Sequence, residues 1–434
     1  MHQHTHTPFT LRMTRDGRGR VVTKSERATG GLAREYAYQY DTAGRLAAVT
    51  LNGAETERYI YDHLGRRVEA QLLEPQFHVQ RLHYQGEGRG ARLVGIGNSM
   101  VLHDEQGHRM YWERQGGESE RYRYAADGRL LSVERNSPRG GRSIEYEHDG
   151  QGRRSAKYVD GQLAARYEWH DLVRLARAWT PRGAMEFRYA RGSRLPVGLV
   201  LAGEPYSLHY DQVGSLRAVA DRFGNVISEI VYDAFGRIQE ESNSGLGMPL
   251  GFAGGLHDRD TGWVRFGFRD YDPLTGRFTA MDPLGYAAGD PDLYGYCLDD
   301  PVNMVDPYGL AASDWWDVRA KYTKAHEIAG EELAKRGRGN HNNEGDAMRH
   351  AEWSRRMSEE IDPVSSWIAG TAHEIDNIAD GHPWSESMMD LHNNAVGREA
   401  AAQDRAVDRR DLQKHPKGSF QVNPYDQSEY WWQK

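Results

Sequence analysis

The chain has 434 residues, only 38% of them hydrophobic, with 48 glycines and a net charge of −8. That length exceeds one ordinary core and implies two or three domains, while the glycine content favours a turn-rich extended β structure over a compact α/β enzyme. The charge balance gives no reason for broad polyanion binding, and the single cysteine, Cys297, excludes an internal disulfide framework and suits synthesis in a reducing cytosol.

The first twenty residues, MHQHTHTPFTLRMTRDGRGR, hold no apolar stretch of the kind a secretory signal needs. The most apolar run, residues 195–203, contains Pro196 and is far short of a membrane span. The expectation is a chain with no stable span, made in the cytoplasm, whose export needs a dedicated machine or an upstream module.

Over residues 1–250 a unit of Tyr-Asp-x-x-Gly-Arg followed by an apolar residue recurs. Its clearest copies start at Tyr40-Asp41, Tyr61-Asp62 and Tyr232-Asp233, and looser ones fall at His103-Asp104, Tyr124, His148-Asp149, His170-Asp171 and Tyr210-Asp211. Neighbouring good copies stand about 21 to 22 residues apart. Asp-x-x-Gly makes a tight turn, and the flanking alternation, as in Tyr36-Ala37-Tyr38-Gln39-Tyr40, makes the two strands of a hairpin. A lone hairpin cannot bury its aromatic face, so neighbours must stack edge to edge, with Tyr rings available to Arg guanidinium groups. Repetition marks these residues as architecture, because a wall needs many copies and a catalytic site needs one.

Residues 267–310 are rich in Asp-Pro pairs, three of which read as turns followed closely by a glycine: Asp272-Pro273, Asp282-Pro283 and Asp306-Pro307. The stretch reads YDPLTGRF, then DPLG, LYGY, DP and DPYGL. With the repeats before it, it resembles the core of the Rhs (rearrangement hotspot, or YD-repeat) family, although Asp300 stands where that family usually has Asn. The resemblance implies a mainly β fold: a spiral shell of hairpins over 1–250, a repeat-associated core over 251–310, and a separate small all-α domain over 311–434. It also implies self-cleavage after the last Leu of DPYGL, placing the scissile bond at Leu310–Ala311. Asp282 and Asp306 would be its aspartyl dyad, with Arg277 holding the region or polarising the carbonyl. Two facing carboxylates cannot both ionise cheaply, which is what suits such a pair to acid and base roles.

After Leu310 the repeat stops. Helical patterns run over residues 315–335, 344–360, 364–379 and 385–410, with Ser313-Asp314 and Asp362-Pro363 as helix-start signals. This segment has 16 Lys and Arg against 22 Asp and Glu, and seven of the nineteen histidines. Three motifs place polar groups on helical faces: Asp346, Arg349 and His350; His373, Glu374 and Asp376; and Asp390 with Asn393 and Asn394. They resemble a small helical domain found at the C-termini of bacterial polymorphic toxins, for which no reaction can be carried over. Residue chemistry leaves two enzymatic readings. Either His350, His373 and Asp390 hold a divalent metal ion with Glu374 as base, or His373 is a metal-free base oriented by Asp376 or Asp390 while Arg349 stabilises an anionic transition state. Both suit a hydrolase acting on a phosphodiester or ester, in nucleic acid or in a lipid or envelope substrate.

The resemblance thus implies an antibacterial toxin, carried by a contact-dependent route such as type VI secretion on an upstream spike or delivery module, and paired with an immunity protein in the producer. The competing reading is a YD-repeat cell-surface or adhesion protein whose last domain binds without catalysing.

Overall fold

The computed structural model describes residues 7–310 apart from 74–76, 87–90, 115, 126, 284–289 and 291. It also describes 312–314, 328, 331, 344–360, 393, 396, 397, 400, 401, 405–408, 410 and 412. Two compact units result: one of Met1–His148 and Arg153–Trp315, the other of Trp316–Lys434 with Asp149–Gly152.

The first unit is mainly β, as the repeat predicts. Among the described residues, twenty-two strands, from β1 (Phe9–Arg15) to β22 (Ile238–Glu241), pair antiparallel, each with the next in the chain. The turns alternate along this meander. At one end sits the Asp-x-x-Gly turn. In the copy at Asp41, the carboxylate Oδ1 accepts from the N–H of Ala43 (2.9 Å) and of Arg45 (2.9 Å), and Oδ2 accepts from Arg45 Nε (2.7 Å). Gly44 takes φ 93°, and the register slips by one residue at Tyr40, which pairs with Leu46. This is a turn closed by a glycine bulge, which explains why Gly is fixed at that step. At the other end sit two-residue turns with both residues at positive φ, such as Asn52-Gly53, Asp160-Gly161 and Ala202-Gly203. Two strands and two turns make the 21- to 22-residue period.

The Arg and Tyr of the unit join one repeat to the next. Arg20 lies over the ring of Tyr40 (4.4 Å), Arg45 over Tyr61 (4.4 Å) and Arg66 over Tyr84 (5.0 Å). Each ring's hydroxyl donates back to the preceding repeat: Tyr40 to the Val21 carbonyl (2.7 Å), Tyr61 to Leu46 (2.7 Å), Tyr84 to Arg67 (2.7 Å). Degenerate copies keep the geometry with other atoms. His108 replaces Arg, bonds Asp104 (3.0 Å) and stacks on Tyr124 (5.1 Å), and Trp169 replaces Tyr, donating from Nε1 to the Arg154 carbonyl (2.8 Å). The band also meets its own start, where Arg34 pairs with Glu229, Arg217 pairs with Glu26, and Phe9 and Ala28 pack on Ala218.

The described residues of 244–310 pack against this wall, Tyr271 for example donating from its hydroxyl to the Phe235 carbonyl (2.8 Å). Strands β23 (Leu256–His257), β24 (Val264–Phe266), β25 (Arg269–Asp272) and β26 (Arg277–Phe278) form a small antiparallel sheet in which every residue is buried. Phe252, Phe266, Tyr271, Phe278 and Tyr296 cluster at its centre, Tyr271 and Tyr296 with centroids 4.4 Å apart. Buried ion pairs pin this sheet to the wall: Arg109 to Asp272 (2.7 Å), Arg154 to Asp270 (3.0 Å) and Lys157 to Asp258 (2.5 Å).

In the second unit α1 (Glu344–Glu360) is helical over the whole of the predicted stretch. Ala347, Met348 and Ala351 pack with Val396, Ala400, Val407 and Leu412. The peptide of Ala351 comes so close to Gly397 that no Cβ would fit there, which accounts for the glycine of the last motif. One expectation is corrected. Residues 405–408 are not helical, so the helix expected to reach residue 410 ends earlier, with the Arg405 N–H donating to the Ala400 carbonyl (3.0 Å). Ser313–Asp314 forms β28, which pairs with β27 (Met304–Val305), and the helix these residues were expected to start lies outside the described residues from 315 to 327. The helices expected over 315–335 and 364–379 lie outside the described residues, save residues 328 and 331, which are helical. No helix among the described residues is long and apolar enough to cross a membrane.

Buried titratable groups predict a pH profile. Burial, then Arg259, holds the His257 imidazole down at about 3, and burial does the same for His103 (about 3) and His148 (about 2). Unfolded, each takes up a proton near pH 6.5, so their contribution is full above that pH and is lost as pH falls towards 3. Glu57 works the other way. Burial and then Asp233 push it up to about 7, so its contribution is present in acid and lost as pH rises from about 4.3 to 7. Asp299, raised by burial to about 7, and Asp290 and Asp300, raised to about 6, add to that side. Burial also raises Glu26 and Asp258, but Arg217 beside the first and Lys157 beside the second override it and hold both at about 2, so their contribution fails only in strong acid. The opposing slopes overlap between about pH 4.3 and 6.5. The melting temperature is therefore expected to stay nearly level from pH 7 to 5 and to fall steeply below about pH 4. A steady decline beginning at pH 6.5 would contradict the balance.

Candidate self-cleavage site

The two aspartates singled out in the sequence come together on one guanidinium. Arg269, on β25, places Nη2 2.7 Å from Asp282 Oδ2 and 3.4 Å from Asp306 Oδ2. Its Nε donates to the Gly309 carbonyl, its Nη1 to the Leu293 carbonyl (3.2 Å), and its plane lies over the Phe278 ring (3.6 Å). All three charged side chains are buried, with Asp282 8% and Asp306 2% exposed.

The backbone before the expected cut is held as tightly. Asp306 Oδ1 accepts from the Leu310 N–H (2.9 Å), the Phe268 N–H donates to the Tyr308 carbonyl (2.9 Å), and Leu310 is fully buried. Gly309 takes φ 67°, and a Cβ there would lie 2.6 Å from the Phe266 carbonyl oxygen; Gly267, at φ 41°, meets Tyr308 in the same way. Both are places where only glycine lets two backbones approach this closely. On either side of the expected cut in the chain, β27 pairs with β28, Met304 with Asp314 and Val305 with Ser313, and Asp306 directly follows β27. Ala311 itself lies outside the described residues.

Arg277, the arginine expected at this dyad, is engaged elsewhere. Its guanidinium forks onto Asp292, Nη2 to Oδ1 at 2.8 Å and Nη1 to Oδ2, beneath Tyr84 and Tyr294. The side chain at the dyad is Arg269, which the sequence reading missed. Its strand, Arg-Asp-Tyr-Asp, carries no local signal for a site, and only the fold brings it to Asp282 and Asp306. Asp272 also keeps apart from them, pairing with Arg109 and Thr275 (3.0 Å). Cys297, Leu298 and Asp299 all take positive φ beside this region, and burial pushes the Cys297 thiol well up.

Of the residues expected to form the C-terminal site, Asp346, Arg349 and His350 lie on α1, with His350 buried and Arg349 half-buried. Asn393 is fully buried. His373, Glu374, Asp376 and Asp390 lie outside the described residues, and with them the proposed metal-ligand set of His350, His373 and Asp390. Among the described residues no group of three or more His, Cys, Asp or Glu is arranged to hold a metal ion.

Comparison with known proteins gives the family. The sequence model of the Teneurin YD-shell family matches residues 1–292, and that of a domain of unknown function, DUF6973, matches residues 313–418. Teneurin-3 of Danio rerio is 32% identical over 67% of the chain and 11% of its own length. Toxin protein Tse5 of Pseudomonas aeruginosa is 30% identical over 63% of the chain and 25% of its own length. Double-stranded DNA deaminase toxin A of Burkholderia cenocepacia is 29% identical over 69% and 22%. The chain thus spans a quarter or less of these relatives. Among solved structures, TcdB2-TccC3 without its hypervariable C-terminal region shares the fold, with a TM-score of 0.50 at 18% identity over 71% of this chain and 17% of that one. From its repeats, its core and these matches, the chain belongs to the Teneurin YD-shell family, in the Rhs and YD-repeat lineage.

Proposed function

We propose that this chain is an Rhs-type toxin carrier: a YD shell that cuts its own backbone at Leu310–Ala311 and so frees a C-terminal toxic domain. The observation that carries this reading is the convergence of Asp282 and Asp306 on Arg269, with the same Asp306 holding the Leu310 N–H and the same Arg269 holding the Gly309 carbonyl. Water adds across the bond. One carboxylate takes its proton as the hydroxyl joins the Leu310 carbonyl carbon, and the other gives a proton to the departing Ala311 nitrogen. Arg269 offsets the charge of the pair and, from its post at Gly309, is placed to stabilise the oxyanion.

The freed domain acts, in this reading, as a hydrolase on a phosphodiester or ester, with Asp346, Arg349, His350, His373, Glu374, Asp376 and Asp390 as its working residues, with or without a divalent metal. Delivery into competitors, by a type VI or similar contact-dependent route, and an immunity protein in the producer complete it. The toxins among the relatives support this reading; the teneurins favour the second one, a surface protein whose last domain only binds. Growth separates the two. Residues 311–434 made in a bacterium, in the cytoplasm and separately in the periplasm, are expected to arrest growth in one compartment, with relief by His350→Ala at unchanged soluble yield. Full growth in both compartments would sink the toxin reading.

A further inference from the structure

The Arg277–Asp292 pair stands beside the dyad and touches neither aspartate, yet the bonds around it lead to both. Asp292 Oδ1 accepts from the Tyr294 N–H (3.0 Å) as well as from Arg277, and the Asp292 N–H donates to Asp290 Oδ1 (2.8 Å). Tyr294 is held in turn by β26, where the N–H of Phe278, next to Arg277, donates to its carbonyl (2.9 Å), and by its own hydroxyl on the Gly107 carbonyl (2.7 Å). Between these two fixed residues lies Leu293. Its single carbonyl accepts from the Asp282 N–H (2.8 Å) and from Arg269 Nη1 (3.2 Å). One peptide oxygen thus sets both the backbone of the first aspartate and the orientation of the guanidinium that spans the pair.

We propose that Arg277 and Asp292 are positioning residues for self-cleavage, acting through the Leu293 carbonyl to hold Asp282 and Arg269 in register with Asp306. A planar guanidinium gripping a carboxylate with two parallel bonds fixes direction as well as distance, which a lysine does not. Small displacements of an acid–base group cost large factors in rate. The proposal rests on the self-cleavage reading, and its test is chosen so that the two fail separately.

The full chain is synthesised in a cell-free system under a radiolabelled pulse, and the cleaved fraction is followed with time for wild type, Arg277→Gln, Arg277→Lys and Asp292→Asn. Melting temperatures are measured on each substitution combined with Asp306→Asn, where the chain stays whole. Arg277→Gln and Asp292→Asn are expected to slow cleavage about tenfold or more and, since each strands a buried charge, to lower the melting temperature as well, whereas Arg277→Lys, which keeps the charge but not the fork, is expected to recover the melting temperature while cleavage stays slow. Wild-type rates in both Arg277→Gln and Asp292→Asn would overturn the proposal. So would a cleavage rate that returns to the wild-type level in Arg277→Lys together with the melting temperature, since that assigns the pair to stability alone. A wild-type chain that never cleaves would instead remove the self-cleavage reading on which it rests.

Discussion

Asp306→Asn is expected to leave the chain as one 434-residue polypeptide where the wild type separates into pieces of 310 and 124 residues. Asparagine keeps the shape and can still accept from the Leu310 N–H, so the loop should hold. What it removes is the proton traffic and one of the two charges facing Arg269. Loss of an acid–base group slows such chemistry on the order of 10²–10⁴-fold. Over the length of a purification that separates complete cleavage from little or none. Asp282→Asn should behave alike, because its carboxylate meets the same guanidinium at 2.7 Å. Asp300→Asn is the control: Asp300 belongs to the same run of Asp-Pro turns but accepts from Asn303 Nδ2 (2.9 and 3.0 Å), so this variant should cleave as wild type does. Gel electrophoresis of the three purified variants decides the matter, and cleavage in Asp306→Asn at the wild-type level would refute the dyad.

The second large effect concerns what ties the core to the wall. Asp270 is 1% exposed and faces two guanidinium groups, Arg154 Nη2 at 3.0 Å and Arg265 Nη1 at 2.8 Å. Arg154 comes from the wall strand Arg154–Val159 and also lies over the Tyr146 ring at 3.8 Å, while Arg265 comes from β24. A buried pair adds modestly to stability when whole, because desolvation offsets attraction. Removing one partner leaves uncompensated charge and costs about 3–5 kcal/mol. Here one carboxylate serves two cations, so Asp270→Ala should fall at the upper end of that range. Asp270→Asn, which preserves volume, should lose most of the same amount. Urea unfolding of both variants in an uncleaved Asp306→Asn background measures it. A loss in Asp270→Asn below about 1 kcal/mol would show that the charge carries little of the tie.

How far the sequence foretold this structure depended on how local each signal was. The wall was legible because every Asp-x-x-Gly-Arg turn carries its own capping carboxylate and its own glycine, and because twenty-one residues suffice to make the unit. Even so, the copy at Asp16-Gly19-Arg20 escaped notice for want of a tyrosine before the aspartate, although its carboxylate caps the turn as the others do and its arginine stacks on Tyr40. Asp282 and Asp306 were found through their turns. Arg269 was not, because nothing within its strand distinguishes it from the arginines that brace the wall. Arg277 drew attention through its motif, and the fold assigns it to Asp292. Ser313-Asp314 shows the limit most simply: these residues pair with Met304–Val305, and no local reading could supply that pairing. The helix Glu344–Glu360 was legible over its described length, as its apolar spacing and charge pairs are self-contained.

The most direct test of the account is the intact mass of the purified wild-type chain together with the first residue of its smaller piece. Two masses corresponding to residues 1–310 and 311–434, the second beginning with Ala311, are what the proposed cut predicts. A single full-length mass, or a second piece beginning anywhere else, would contradict it.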